Sequence, residues 1–263
     1  MRFPFAAVPK SWYHLVWADE LRAGETREVE AFGETITVHR AEDGVLSASP
    51  DRFPICEKNE MIWAYYDPAG EPPAFALMPL PELEDASFLP LGRVDRVFSS
   101  HVQEIVENAV DIAHYAAQHG FVGQATLGDF APEAHAFRAL VIAKKRVFGV
   151  TLPIQLAFEY CGMGFGVGRA TGPLTLSNVV TCLPIDAHRI RMRFTIFAIV
   201  PRVPMLSAII ARLLRWHVWA DVKGEIALFE NKLYRERPLL SSSDGPIMKV
   251  RAWCRQFYPA EAA

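Results

Sequence analysis

The period of hydrophobic and polar positions changes along this chain, and each change marks a different kind of element. Residues 12–46 carry short alternating runs. Thr35-Ile36-Thr37-Val38-His39-Arg40 is the clearest and stops at Glu42-Asp43-Gly44, which predicts short strands joined by turns. Another strand, from Met61 to Tyr66, ends at Asp67-Pro68-Ala69-Gly70. The proline-rich residues 68–92 predict an irregular connector. Over 99–120 the period turns helical: Val102, Ile105, Val106, Ala109, Val110 and Ala113 recur at three- and four-residue spacing, with Gly120 as the stop. Residues 137–148, 154–160, 174–183 and 190–200 are strand-like runs with no helix between them, which favours an antiparallel sheet. A long helix over 205–234 and a shorter one over 246–257 follow. A long helix laid across a curved sheet encloses an apolar cavity.

One run bears on that cavity. Gly162, Gly164, Gly166 and Gly168 alternate. On one strand they leave a sheet face bare for a bulky ligand, or they mark a twisted or bulged strand; both readings stand. A phosphate loop is excluded, because Ala170-Thr171-Gly172-Pro173 starts no helix.

Composition adds exclusions. With 51% hydrophobic and 22% charged residues and a net charge of −3, the chain reads as globular, and nucleic acid is not expected as a partner. Cys56, Cys161, Cys182 and Cys254 are far apart and form no C-x-x-C or C-x-H pair, which predicts reduced, mostly buried thiols. The opening residues lack a charged and then apolar leader, so a cytoplasmic location is expected. Residues 194–214 are the most apolar, but Pro201, Arg202, Pro204 and Arg212 interrupt them; a strand running into a buried helix is expected, with contact to a membrane surface left open.

The chemistry concentrates in Glu107-Asn108-Ala109-Val110-Asp111-Ile112-Ala113-His114-Tyr115-Ala116-Ala117-Gln118-His119. His114 and His119 are five apart, which is not a regular helix-face pair, yet both reach one metal if the helix ends or bulges. Two imidazoles plus a carboxylate on one face suit ferrous iron and leave positions open.

D-x-x-H-x-x-x-x-H preceded by Glu107-Asn108 resembles the mononuclear-iron motif of Rieske-type non-haem iron oxygenases. Upstream, Ser11-Trp12-Tyr13, Asp19-Glu20-Leu21 and Thr35–Gly44 resemble the opening strands of a Rieske domain. Downstream, Glu230-Asn231-Lys232, Arg237-Pro238-Leu239-Leu240, Asp244-Gly245-Pro246, Arg251, Trp253 and Gln256-Phe257-Tyr258 resemble the branch of 3-ketosteroid 9α-hydroxylase oxygenases and sterol desaturases. The resemblance implies an α+β, helix-grip (START-like) antiparallel sheet with a long C-terminal helix. It divides the chain into a truncated Rieske-like β subdomain at 1–67, a connector at 68–98 and an iron domain at 99–263. It implies His114 and His119 as Fe(II) ligands, Glu225 at the position of the third, usually aspartate, ligand, and Asp221 as its fallback. Asp111 matches the aspartate that links the iron to a neighbouring subunit's cluster, and Asn108 would support the ligands.

The C-x-H and C-x-x-H cluster ligands of the family have no match; Cys56 stands alone in that segment. A Rieske [2Fe–2S] centre needs two Cys and two His. Electrons are therefore expected from a cluster-bearing oxygenase homologue in a trimer-based hetero-oligomer, or from a Rieske ferredoxin or reductase. The expected substrate is an apolar, steroid-like molecule hydroxylated or desaturated with O₂. A non-catalytic ring subunit and a plain sterol-binding module are the alternatives. Lys144-Lys145-Arg146 reads as a solvated strand edge, Trp216 and Trp219 as core, and His14, His39, His101, His135, His188 and His217 as surface or hydrogen-bonded histidines.

Overall fold

The computed structural model describes residues 8–147, 149–172, 174–200, 203–241 and 244–259. Phe148, Pro173, Pro201 and Arg202, all within readings above, lie outside the described residues, as do residues 1–7 and 260–263 of the expected end domains. Six short strands come first: β1 (Ser11–Trp17), β2 (Thr26–Ala31), β3 (Glu34–Arg40), β4 (Leu46–Ser49), β5 (Ile55–Lys58) and β6 (Met61–Tyr66). They form two three-stranded sheets, in the orders β1-β6-β5 and β2-β3-β4. β1 is buried along its whole length and β6 nearly so, which is why both read as continuous aromatic and apolar runs rather than alternating ones. The β2–β3 hairpin turns on Phe32 and Gly33, both at positive φ, as its two-residue loop requires.

The principal sheet has seven strands: β7 (Phe88–Ser99), β8 (Phe121–Glu133), β9 (Ala136–Val147), β10 (Val150–Cys161), β11 (Phe165–Thr171), β12 (Thr175–Pro184) and β13 (Arg189–Ile199). Their order is β7-β13-β12-β11-β10-β9-β8, and neighbours run antiparallel. Two short helices, α1 (Val102–Asn108) and α2 (Ile112–Gln118), carry the chain from one edge of this sheet to the other. The long α3 (Pro204–Asn231) and the short α4 (Ile247–Cys254) follow. Leu214, Val218 and Val222 of α3 pack on Leu91, Ile196 and Ala198 of the sheet. The β1 and β6 aromatics Trp12, Trp17, Trp63 and Tyr65 pack on Phe165, Val167, Val179 and Phe197.

Four readings change. Residues 88–98, assigned to a connector, form most of β7. Pro90 misled the reading; it is tolerated because β7 is an edge strand, beside the register shift at Ile196/Phe197. β8, on the opposite edge, was not foreseen: Gly123 and Gly128 weaken its pattern and its pairing shifts register twice. The helix over 99–120 is broken at 109–111, where Gly245, at positive φ, packs so closely that a Cβ would lie 2.1 Å from the Val110 carbonyl oxygen. The alternating glycines also do not share one strand, because β11 starts at Phe165. Tyr160 and Phe158 on β10 lay their rings over Gly166 and Gly168, so aromatics cover the face that one of the two readings left bare for a ligand.

Candidate metal centre

The break before α2 and its early end set the geometry. His114 sits in the first turn, His119 follows the last helical residue, and the His119 amide still donates to the Tyr115 carbonyl, 3.1 Å away. A spacing of five thus converges because the helix stops at Gln118. Glu225 comes from the middle of α3. One donor atom from each of His114, His119 and Glu225 lies within 4.8 Å of the other two.

Each ligand candidate is anchored from behind. The His114 Nδ1–H donates to the main-chain carbonyl of Asp111, which turns Nε2 toward Glu225. That Nε2 is buried with no hydrogen-bond partner and stands 3.4 Å from Glu225 Oε1. The same oxygen takes His119 Nε2, while Asn108 Nδ2 donates to Glu225 Oε2 at 2.8 Å. Burial opposes the charge on Glu225, but His114 and His119 outweigh it and hold the carboxyl near about 2. Burial likewise opposes a charged His119, and Asp221 and Glu225 overcome it, raising the imidazole to about 9. A cluster that draws positive charge to this point, with one imidazole nitrogen left over, fits a divalent cation with an N,N,O donor set.

The cluster borders an apolar cavity of about 260 Å³, walled by Leu152, Ile154, Leu156, Phe158, Val180 and Phe194. Tyr115 and Tyr160 line it too, but their hydroxyls donate to the carbonyls of Ala109 and Ile105. The donors therefore form a polar patch in the wall of a greasy chamber.

Asn108 and Glu225 are brought together. Asp111 meets His114 through its backbone carbonyl; its half-buried carboxylate caps no amide of α2. Asp221, the fallback ligand, faces the other nitrogen of His119, with Oδ2 3.6 Å from Nδ1. Lys145 is not a solvated edge residue: its Nζ reaches Asp221 Oδ2 at 2.7 Å inside the cavity wall. Strand alternation carried that signal, since Phe137, Ala139, Val141 and Ala143 on the same face are buried. His217 also lines the cavity, and its four-residue spacing to Asp221 and on to Glu225 places all three on one helix face. Trp216 is exposed rather than core, and Trp219 lies between Arg96 and Lys223. Cys161, Cys182 and Cys254 are buried and Cys56 is half-buried, all as free thiols.

The fold is that of Rieske-type oxygenase chains. Dicamba monooxygenase bound to 3,6-dichlorosalicylic acid matches it with a TM-score of 0.76 over 98% of this chain and 100% of that one, at 14% identity. Within that class the sequence is more specific: the chain belongs to the 3-ketosteroid 9alpha-hydroxylase C-terminal domain family, which matches residues 64–258. Its relatives include a Xenopus laevis cholesterol 7-desaturase, 24% identical over 78% of this chain and 50% of that protein. A probable 3-ketosteroid-9-alpha-monooxygenase oxygenase component from Rhodococcus rhodochrous is 25% identical over 78% of this chain and 56% of that one. The chain thus spans about half the length of the curated relatives it matches.

Proposed function

We propose that this chain is the mononuclear non-haem iron part of a Rieske-type oxygenase system that hydroxylates or desaturates a steroid- or sterol-like substrate. The observation that carries the reading is the meeting of His114, His119 and Glu225 in the wall of an apolar cavity, with His114 Nε2 buried and without a hydrogen-bond partner. His114, His119 and Glu225 would hold Fe(II), which supplies the centre where O₂ is reduced and a substrate C–H bond oxidised. Asn108 keeps Glu225 Oε2 engaged, which would leave Oε1 for the ion, and the Asp111 carbonyl, by taking the Nδ1–H, would leave His114 Nε2 to ligate. The wall of Leu152, Ile154, Leu156 and Phe194 excludes water and orients an apolar ring system against the ligands. Tyr115 and Tyr160 spend their hydroxyl protons on backbone carbonyls and donate none to the substrate. The arrangement reads as a helix-grip, with α3 as the lid that also delivers Glu225.

Hydroxylation takes one oxygen atom into the product and releases the other as water, so two electrons and two protons come from outside. Cys56 alone cannot hold a Rieske cluster, so the donor is a cluster-bearing homologue in a trimer-based ring, or a Rieske ferredoxin or reductase. Asp111, whose backbone carbonyl meets His114, would be the residue that links the iron to such a cluster. The names of the relatives support the substrate class, since they act on cholesterol and 3-ketosteroids. Among the described residues no helix is long and apolar enough to cross a membrane; contact of the chain with a bilayer surface is part of the proposal.

The test is anaerobic loading with Fe(II). One ion per chain is expected, abolished in His114→Ala and Glu225→Ala, and steroid oxidation is expected only with a cluster-bearing donor present. Full metal content in both variants would refute the centre. Unchanged turnover by Glu225→Ala in a reconstituted assembly would leave the chain as a structural subunit.

A further inference from the structure

Both imidazoles of the centre turn Nδ1 toward an oxygen, but of unlike groups. A backbone carbonyl, which cannot leave, holds His114. A side chain faces His119: Asp221 Oδ2, 3.6 Å from its Nδ1. Asp221 stands one helical turn before Glu225 on α3. A carboxylate so placed has two uses. It accepts the Nδ1–H of His119, or it swings in as a second acidic ligand. Lys145, reaching across from β9, ends that choice: its ammonium donates to Asp221 Oδ2 at 2.7 Å, and the lysine side chain is only 11% exposed. His217 Nε2 lies 3.9 Å from the same oxygen and crowds its remaining side.

We propose that Asp221 and Lys145 are positioning residues: Asp221 fixes the tautomer and ring plane of His119, and Lys145 pins Asp221 outside the ligand set, so that the centre takes one carboxylate and not two. The proposal rests on reading His114, His119 and Glu225 as the metal ligands. Its consequence is chemical. A second carboxylate would fill a coordination position that substrate chemistry needs open, and would cancel the remaining positive charge of a divalent ion.

Cobalt(II) is the probe, because its visible bands report the number and type of ligands. The full chain is titrated anaerobically, and affinity is read by chelator competition. Asp221→Ala is expected to weaken binding by about 10- to 100-fold. Lys145→Met is expected to keep or raise affinity while its visible bands weaken and shift, as an added carboxylate raises the coordination number; Lys145→Arg keeps the wild-type spectrum. In the double variant Asp221→Ala/Lys145→Met the spectral change disappears, because its source is gone. A wild-type spectrum in Lys145→Met, or wild-type affinity in a folded Asp221→Ala, overturns the proposal. Should Asp221→Ala fail to fold, the Lys145→Met spectrum alone decides. If the wild-type chain binds no cobalt, or Glu225→Ala binds it as tightly as wild type, the underlying metal reading fails instead.

Discussion

Glu107 and Glu225 are both buried carboxylates, at 1% and 7% exposure, yet they are treated oppositely. Glu107 is saturated. Its oxygens accept from Arg251 Nε and Nη2, each at 2.9 Å, and Gln103 Nε2 adds a third bond at 2.8 Å. Arg251 in turn donates to the carbonyl of Arg235, and Tyr258 donates to Gln103, so the network ties α1 to the C-terminal segment. Glu225 is held at one oxygen by Asn108, and at the other it meets imidazoles of which one has a nitrogen to spare. A buried charge with every valence met holds a fold together; one that leaves a lone pair over waits for a ligand.

Stability measurements break or keep this contrast. Arg251→Ala strands the Glu107 charge in the core and is expected to cost about 3–5 kcal/mol in urea unfolding. Glu225→Ala in metal-free protein is expected to cost less, because His119, left behind, still faces Asp221 as an acid partner. A loss below about 1 kcal/mol for Arg251→Ala would erase the distinction. The second test adds the ligand. Divalent metal at a hundredfold excess over its Kd is expected to stabilise wild type by about 2.7 kcal/mol, read as a rise in Tm, and to leave Glu225→Ala unmoved.

The same contrast explains what the sequence disclosed. His114, His119 and Glu225 were legible because their spacing is short or tied to a neighbouring signature, and α3 because its period runs on for many turns. Asp221 and Lys145 were visible only as residue types. That a lysine in a basic run turns inward follows from counting alternate positions back to Phe137, and its partner lies on a distant helix. β7 was hidden by Pro90, since an edge position is a property of the whole sheet and not of the segment. At the break between α1 and α2 the chain packs against Gly245, more than 100 residues downstream, a contact that no local pattern carries.

A smaller effect sharpens the contrast from the apolar side. Gly166 is saturated by packing as Glu107 is by hydrogen bonds: a Cβ there would lie 2.6 Å from the Tyr160 ring. Gly166→Ala is expected to cost about 1–3 kcal/mol by overpacking, measured by urea unfolding. At Gly149, where nothing lies within 4 Å of the added carbon, Gly149→Ala meets only the strain of its positive φ and is expected to cost less.

The finest test is pH, on two further buried acids. Glu82 resists ionisation through burial, but Arg169 and Ser177 bond its carboxylate and hold it below the usual range. Glu104 is raised by burial, which Lys232 only partly offsets and the nearby Glu107 reinforces. The signs oppose. Glu82 binds protons less readily when folded, so its contribution is complete above the unfolded carboxylate pKa of about 4.3 and is lost as pH falls through the folded value. Glu104 binds them more readily when folded, so it costs stability at neutral pH, and that cost is relieved as pH falls through its raised value. On acidification Tm is expected to gain from Glu104 first and to lose through Glu82 afterwards. Glu104→Gln removes the early gain, and Glu82→Gln flattens the later fall. If both variants followed the wild-type profile, hydrogen-bond saturation would not be what separates a settled buried acid from an unsettled one.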